Sequence, residues 1–203
     1  RGKALFQWLE ALPCEIVYQE TDGIKLSEFP QEYDLGISFM YTYKIPSSEF
    51  ERAHRWINFH PGPLPEFRGR NLAYHAIMSR SDHFGATVHY MDKEFDTGDI
   101  IEVVRFPIQP RHTAGELVMK SHAALEELFK KYVPKLLKGE KVGTCPQSAG
   151  TYYKKDRIDE VISLTDEQVL KIRAVTVAPD YHARIIIGGK EYKIVPTKES
   201  EIL

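Results

Sequence analysis

The hydrophobic pattern of the 203-residue chain changes period several times along its length. Leu5, Phe6, Leu9 and Leu12 recur at helical spacing and stop at Pro13, which predicts a helix over residues 2–12. Two apolar runs of strand length follow at 15–19 and 35–39, separated by an acidic loop at 28–34. Trp56 and Ile57 open another strand, and residues 74–78 return to the spacing of a buried helical face. From Thr87 to Asp92 the chain alternates, turns at 96–99, and runs on as a strand over 100–104 that Pro107 and Pro110 close. Thr113 and Glu116 spell a capping box in front of a helix over 116–132, whose Leu117, Leu125, Leu128 and Phe129 read as scaffold. Past Gly139 the character shifts to a polar, glycine-containing loop at 141–150, a short helix at 165–174, and a hairpin at 184–195 turning on Gly188-Gly189. Strands alternating with helices imply an α/β domain with a mainly parallel sheet, whose ligand crevice lies beyond the carboxyl ends of the strands.

One stretch concentrates the polar chemistry. Asn58 and His60 stand two apart at the end of the strand that begins at Trp56, so they face the same side about 6.6 Å apart. Gly62 and the prolines at 61, 63 and 65 stiffen the loop that follows, as a preorganised site requires. Arg68-Gly69-Arg70 and a helix start come within a dozen residues, and a second polar cluster, Asp96-Thr97-Gly98-Asp99, lies downstream. Taken singly, an Asn-x-His pair is a common surface or core feature, and Asp-Thr-Gly-Asp is an ordinary turn composition.

Together and in this order the two clusters resemble the folate-dependent formyltransferase family, whose members include methionyl-tRNA formyltransferase, glycinamide ribonucleotide transformylase and the sugar N-formyltransferases. The resemblance implies a Rossmann-like formyltransferase core over residues 1–140, with the family's opening strand upstream of Arg1, and a small C-terminal region over 141–203. It assigns the catalytic roles to Asn58, His60 and Asp96, with Asp96 rather than Asp99 in the position of the family's aspartate. It implies 10-formyltetrahydrofolate as formyl donor and no metal. Met40, Tyr41, Thr42, Tyr43 and Ile45, at the carboxyl end of a strand, match the family's pterin-lining loop, which acts largely through backbone groups; the simpler reading is that they pack the sheet edge. Arg70 matches a position beside the amino substrate in sugar-modifying relatives, and its guanidinium suits phosphate or carboxylate. Asn71 stands where many relatives have proline, and Gly62-Pro63 replaces their serine and leucine, which puts the substrate contacts in question. Asn71, Tyr74 and Tyr152 complete the expected acceptor contacts, the two tyrosines by stacking.

Charge narrows the acceptor. Lysine and arginine total 27 against 29 acids, a formal net charge of −2, whereas a nucleic-acid surface wants a basic excess. With a tail read as too short for a full barrel domain, the expected acceptor is a nucleotide-linked amino sugar, with a 4-amino-4,6-dideoxyhexose on thymidine diphosphate leading. A formyltetrahydrofolate hydrolase, a tRNA-directed enzyme and a non-catalytic folate or nucleotide binder stay open. Two cysteines, Cys14 and Cys145, and the lack of a long apolar run fit a reducing cytoplasmic setting without membrane contact. Ile185, Ile187, Tyr192 and Ile194 give the hairpin apolar faces that suggest a homodimer contact. His54, His75, His83, His89, His112, His122 and His182 receive no role.

Overall fold

A computed structural model describes residues 2–16, 32–41, 44–110, 112–154, 165–168, 184–187 and 189–193. The chain divides into two compact units, Arg1–Ile108 with Thr113–Asp156, and Gln109–His112 with Arg157–Leu203. In the first, a four-stranded sheet has the order β1 (Gly36–Phe39), β2 (Trp56–His60), β4 (His83–Tyr90), β5 (Ile100–Pro107). Helices α1 (Gly2–Glu10), α2 (Ser47–Arg52), α3 (Leu72–Met78) and α4 (Ala114–Leu137) accompany it, and β3 (Phe67–Gly69) pairs with β6 (Thr151–Tyr153) in a separate ribbon.

Period two decides which face of the sheet is core. Ile57 and Phe59 of β2 and Ala86 and Val88 of β4 pack with Leu125, Leu128, Phe129, Val133 and Leu136 of α4. Their neighbours in sequence, Asn58, His60, Thr87 and His89, therefore emerge on the opposite face. A second cluster of Phe67, Leu72, Ala73, Ala76, Phe84 and Leu117 seats α3 under the β2–β3 loop. A third, of Ile45, Ala53 and Trp56, anchors the segment after β1.

The α/β class is as expected, but the sheet among the described residues is mixed. β1 and β2 run parallel, whereas β2–β4 and β4–β5 are antiparallel. The turn between Tyr90 and Ile100 is too short for the crossover that a parallel pair needs, so β5 must fold back on β4. Helix α4 opens on the expected capping box: the Thr113 hydroxyl accepts from the Glu116 amide, and the Glu116 carboxylate accepts from the Thr113 amide. It runs past the expected end at 132 to Leu137, through Pro134, because burial of Val133 and Leu136 against the sheet outweighs one lost backbone donor.

Residues 141–154 also depart from expectation. They belong to the first unit, since Cys145 exchanges backbone hydrogen bonds with Ile100 and β6 pairs with β3, so the division falls after Asp156 and not after 140. In the second unit, β7 (Arg184–Ile187) and β8 (Lys190–Lys193) form the expected hairpin, with Gly189 at φ +80°. Thr165 and Gln168 cap each other reciprocally, as a helix start there requires. Most of the strand expected at 15–19, the later part of the helix expected at 165–174, and His182, Gly188 and Ile194 lie outside the described residues, as does the side chain of Ile187. No helix among the described residues is long and apolar enough to cross a membrane.

Candidate active site

Asn58, His60 and Asp96 meet, although the last lies 36 or more residues downstream. Asn58 Nδ2 is 3.4 Å from Asp96 Oδ1, and His60 Nδ1 is also 3.4 Å from that oxygen. The other carboxylate oxygen, Oδ2, accepts from the Gly69 amide at 2.9 Å. Asp96 sits at φ +57°, a left-handed conformation uncommon outside glycine, asparagine and aspartate. Gly69 has φ +96°, and a Cβ there would lie 2.0 Å from the Tyr153 carbonyl oxygen, so only glycine lets that amide reach the carboxylate while β3 pairs with β6.

His89, which received no role above, completes the group. It lies directly across from Asn58 in the β2–β4 register and is 1% exposed. Its Nδ1 is 2.6 Å from the Tyr90 carbonyl, which can only accept, so Nδ1 carries the proton and Nε2 accepts from Asn58 Nδ2 at 3.1 Å. Burial first, then the charge of His60, push its pKa down to about 4 against the pull of Asp96, the Tyr90 carbonyl and Asp92, so the ring is neutral at pH 7. The only signal in sequence was its place on the alternating strand, on the polar side with Thr87.

His60, 3% exposed, donates from Nε2 to the Phe67 carbonyl at 2.7 Å, which leaves Nδ1 as the atom that faces Asp96. Burial works to raise the Asp96 pKa, but the charge and hydrogen bond of His60, the Gly69 amide and His89 outweigh it and hold the carboxyl at about 2. Asp96 is therefore a fixed anion at neutral pH. Both Asn58 amide protons point to acceptors, one of them through a long contact that a better acceptor can replace.

Thr87, which the sequence shows only as the start of an alternating strand, holds the proline loop. Its hydroxyl donates to the Gly62 carbonyl at 2.7 Å and accepts from the Leu64 amide at 3.0 Å. The other expected site residues are less concentrated. Met40 is 42% exposed at φ +56°, Tyr41 packs on the Ile45 cluster, and the Ile45 side chain is itself buried, so only its backbone can face a ligand. Thr42 and Tyr43 lie outside the described residues. The Lys44 ammonium stands 5.7 Å from the centroid of Phe95, which brings this loop beside the Asp96 turn. Arg70 donates its amide to the Tyr153 carbonyl, and Asn71 precedes α3 at φ +55° without capping it by its side chain. The Tyr74 ring meets His75 edge-on, and the half-exposed Tyr152 lies 6.5 Å from Phe95. Of the four, Tyr152 is thus the one whose ring lies beside Phe95, the residue preceding Asp96.

Residues 33–133 match the family described as Formyl transferase. A methionyl-tRNA formyltransferase of Bacillus thuringiensis is 34% identical over 110 residues, 54% of this chain and 35% of that protein. The chain thus spans about a third of the length of the curated relatives it matches. Among solved structures, the formyltransferase PseJ of Anoxybacillus kamchatkensis, in complex with UDP-4,6-dideoxy-4-formamido-L-AltNAc and tetrahydrofolate, superposes with a TM-score of 0.61 at 27% identity, covering 75% of this chain and 81% of that one. A 4-N formyltransferase from Francisella tularensis gives a TM-score of 0.57 at 25% identity, covering 82% and 72%.

Proposed function

We propose that this chain, which belongs to the formyl transferase family through residues 33–133, transfers a formyl group from 10-formyltetrahydrofolate to the amine of a nucleotide-linked amino sugar. The observation that carries the reading is the convergence of Asn58, His60 and Asp96 on one face of the sheet, with His89 behind them. The folate, when bound, supplies an electrophilic formyl carbon. A carbon–nitrogen bond forms to the acceptor amine, the bond to the folate nitrogen breaks, and the amine's proton leaves as the folate nitrogen gains one.

This chain's residues meet those demands at defined atoms. Asn58 Nδ2 can exchange its long contact to Asp96 for a formyl oxygen that is gaining negative charge, while its bond to neutral His89 keeps the amide oriented. His60 is tied through Nε2, so its exchangeable position is Nδ1, and the Asp96 anion supports positive charge there and on an amine that has attacked. With its pKa held near 2, Asp96 stabilises charge and does not store the proton. The fit of the donor rests on the segment after β1. The buried Ile45 fixes that segment, and Lys44 over Phe95 sets it against the Asp96 turn. Met40, Tyr41, Thr42, Tyr43 and Ile45 would then line the pterin site mainly through backbone groups.

The acceptor reading draws on the neighbour solved with a uridine diphosphate-linked formamido sugar and on the near balance of charge. Arg70, Asn71, Tyr74 and Tyr152 are its contacts, and a thymidine diphosphate-linked 4-amino-4,6-dideoxyhexose is the leading candidate. A second reading, transfer to charged tRNA, is favoured by the sequence relatives. The test is to incubate the protein with 10-formyltetrahydrofolate and, separately, thymidine and uridine diphosphate amino sugars, charged tRNA, or no amine. A gain of one formyl group on a sugar nucleotide, read by mass spectrometry, is the expected result. Formylation of tRNA alone overturns the acceptor, and formate release without any amine identifies a hydrolase.

A further inference from the structure

We propose that Gln147 is a positioning residue that holds the Asp96 turn in its working conformation. It lies in the polar loop at 141–150. Its Nε2 donates to the Asp96 carbonyl at 3.1 Å and to the Gly98 carbonyl at 2.6 Å. Its Oε1 accepts from Arg68 Nε at 3.2 Å and from Arg68 Nη2 at 2.8 Å, and Nη2 also donates to the Ser148 carbonyl at 3.0 Å. Both amide protons and both lone pairs are thereby used, and carbonyls on one side with a guanidinium on the other permit only this orientation of the amide.

The links run between segments 49 to 80 residues apart in sequence, so one side chain ties β3 to the turn that carries the carboxylate. That turn needs holding, because a left-handed aspartate persists only where its surroundings over-determine it. Gly98 adds to the constraint, since a Cβ there would lie 2.1 Å from the Tyr90 carbonyl oxygen. The two ends of the carboxylate's placement are then set together. Gln147 fixes the backbone of Asp96, while Arg68, held by the same amide, precedes the Gly69 whose N–H binds Asp96 Oδ2. Gln147 acts through Asp96, since its own amide is fully used by Arg68 and the two carbonyls.

The activity part of the test rests on the formyl-transfer reading; the exchange part does not. Gln147→Leu removes every bond at similar volume, and Gln147→Glu keeps the Arg68 pairing while turning an acceptor toward the two carbonyls. Both are expected to lower kcat about tenfold or more, with KM for donor and acceptor changed less than about twofold, the scale of one lost buried pairing. In an Asp96→Asn background, Gln147→Leu is expected to have no further effect on kcat. Hydrogen exchange of the Gly69 amide should speed up roughly tenfold in Gln147→Leu while the Phe59 and Val88 amides stay protected. If Gln147→Leu does not fold, Gln147→Glu carries the same comparisons. An equal loss of kcat in both backgrounds, a change confined to KM, full activity in Gln147→Glu, or unchanged Gly69 exchange each overturns the proposal. Absence of formyl transfer in the unmodified protein would refute the functional reading, and the exchange result would still decide the clamp.

Discussion

At the scale of single residues, the site is a set of short-range commitments around one carboxylate. Asp96 Oδ1 is shared by Asn58 and His60, and Oδ2 is taken by the Gly69 amide. Replacing Asn58, His60 or Asp96 by alanine is expected to leave a folded protein whose formyl transfer falls at least about a hundredfold. Near-normal turnover in His60→Ala would sink the mechanism. His89 gives a prediction about stability. Its imidazole titrates near 6.5 when unfolded and near 4 in the fold, so between those values the unfolded chain takes up a proton that the native ring refuses. Stability is therefore full above pH 6.5 and falls as pH drops toward 4, by about 3 kcal/mol in all. Asp96 works in a lower window, its contribution present above 3.8 and lost as pH falls through about 2. Urea unfolding at pH 7 and pH 4.5 should show a smaller difference in His89→Gln than in the unmodified protein, and equal differences would exclude His89 as the source.

At the scale of elements, placement of the site depends on the β3–β6 ribbon as much as on the central sheet. β2 orients Asn58 and His60, but the Asp96 carboxylate is reached by Gly69 of β3, and β3 is held by a strand more than 80 residues later. Gly69→Ala is expected to destabilise the protein by about 2 kcal/mol, through its positive φ and the collision with Tyr153, and to lower kcat at the same time. Thermal unfolding together with kinetics checks this; a stable, fully active Gly69→Ala protein would mean that the ribbon does not support Asp96. The Asn-x-His strand, the Asp96 turn and the α4 capping box were legible because each is a local pattern. The ribbon was not, since three-residue strands carry no period of their own and pair only after the chain has folded around them.

At the scale of the whole molecule, the second unit contributes a hairpin whose Ile185 lies across from Tyr192 and whose Ile186 is 74% exposed. An isolated two-stranded hairpin is marginal alone, and its edges and apolar side chains suit pairing with a second copy of the chain. We expect a dimer by light scattering that Ile186→Asp weakens, and a monomeric mass at high concentration would defeat this expectation.

By itself, the amino-acid sequence determined the α/β class and the formyltransferase resemblance, and through that resemblance proposed Asn58, His60 and Asp96 for the site. These depend on spacing along one strand and on two motifs in order, which side-chain alternation and turn chemistry write directly into the chain. Only the tertiary structure decided that His89 joins them, that Thr87 pins the proline loop, and that residues 141–154 belong with the first compact unit. The reason is geometric. Those roles are set by which residue lies across a strand pair or beneath a turn, and such neighbours come from distant segments whose register only the assembled sheet and core define.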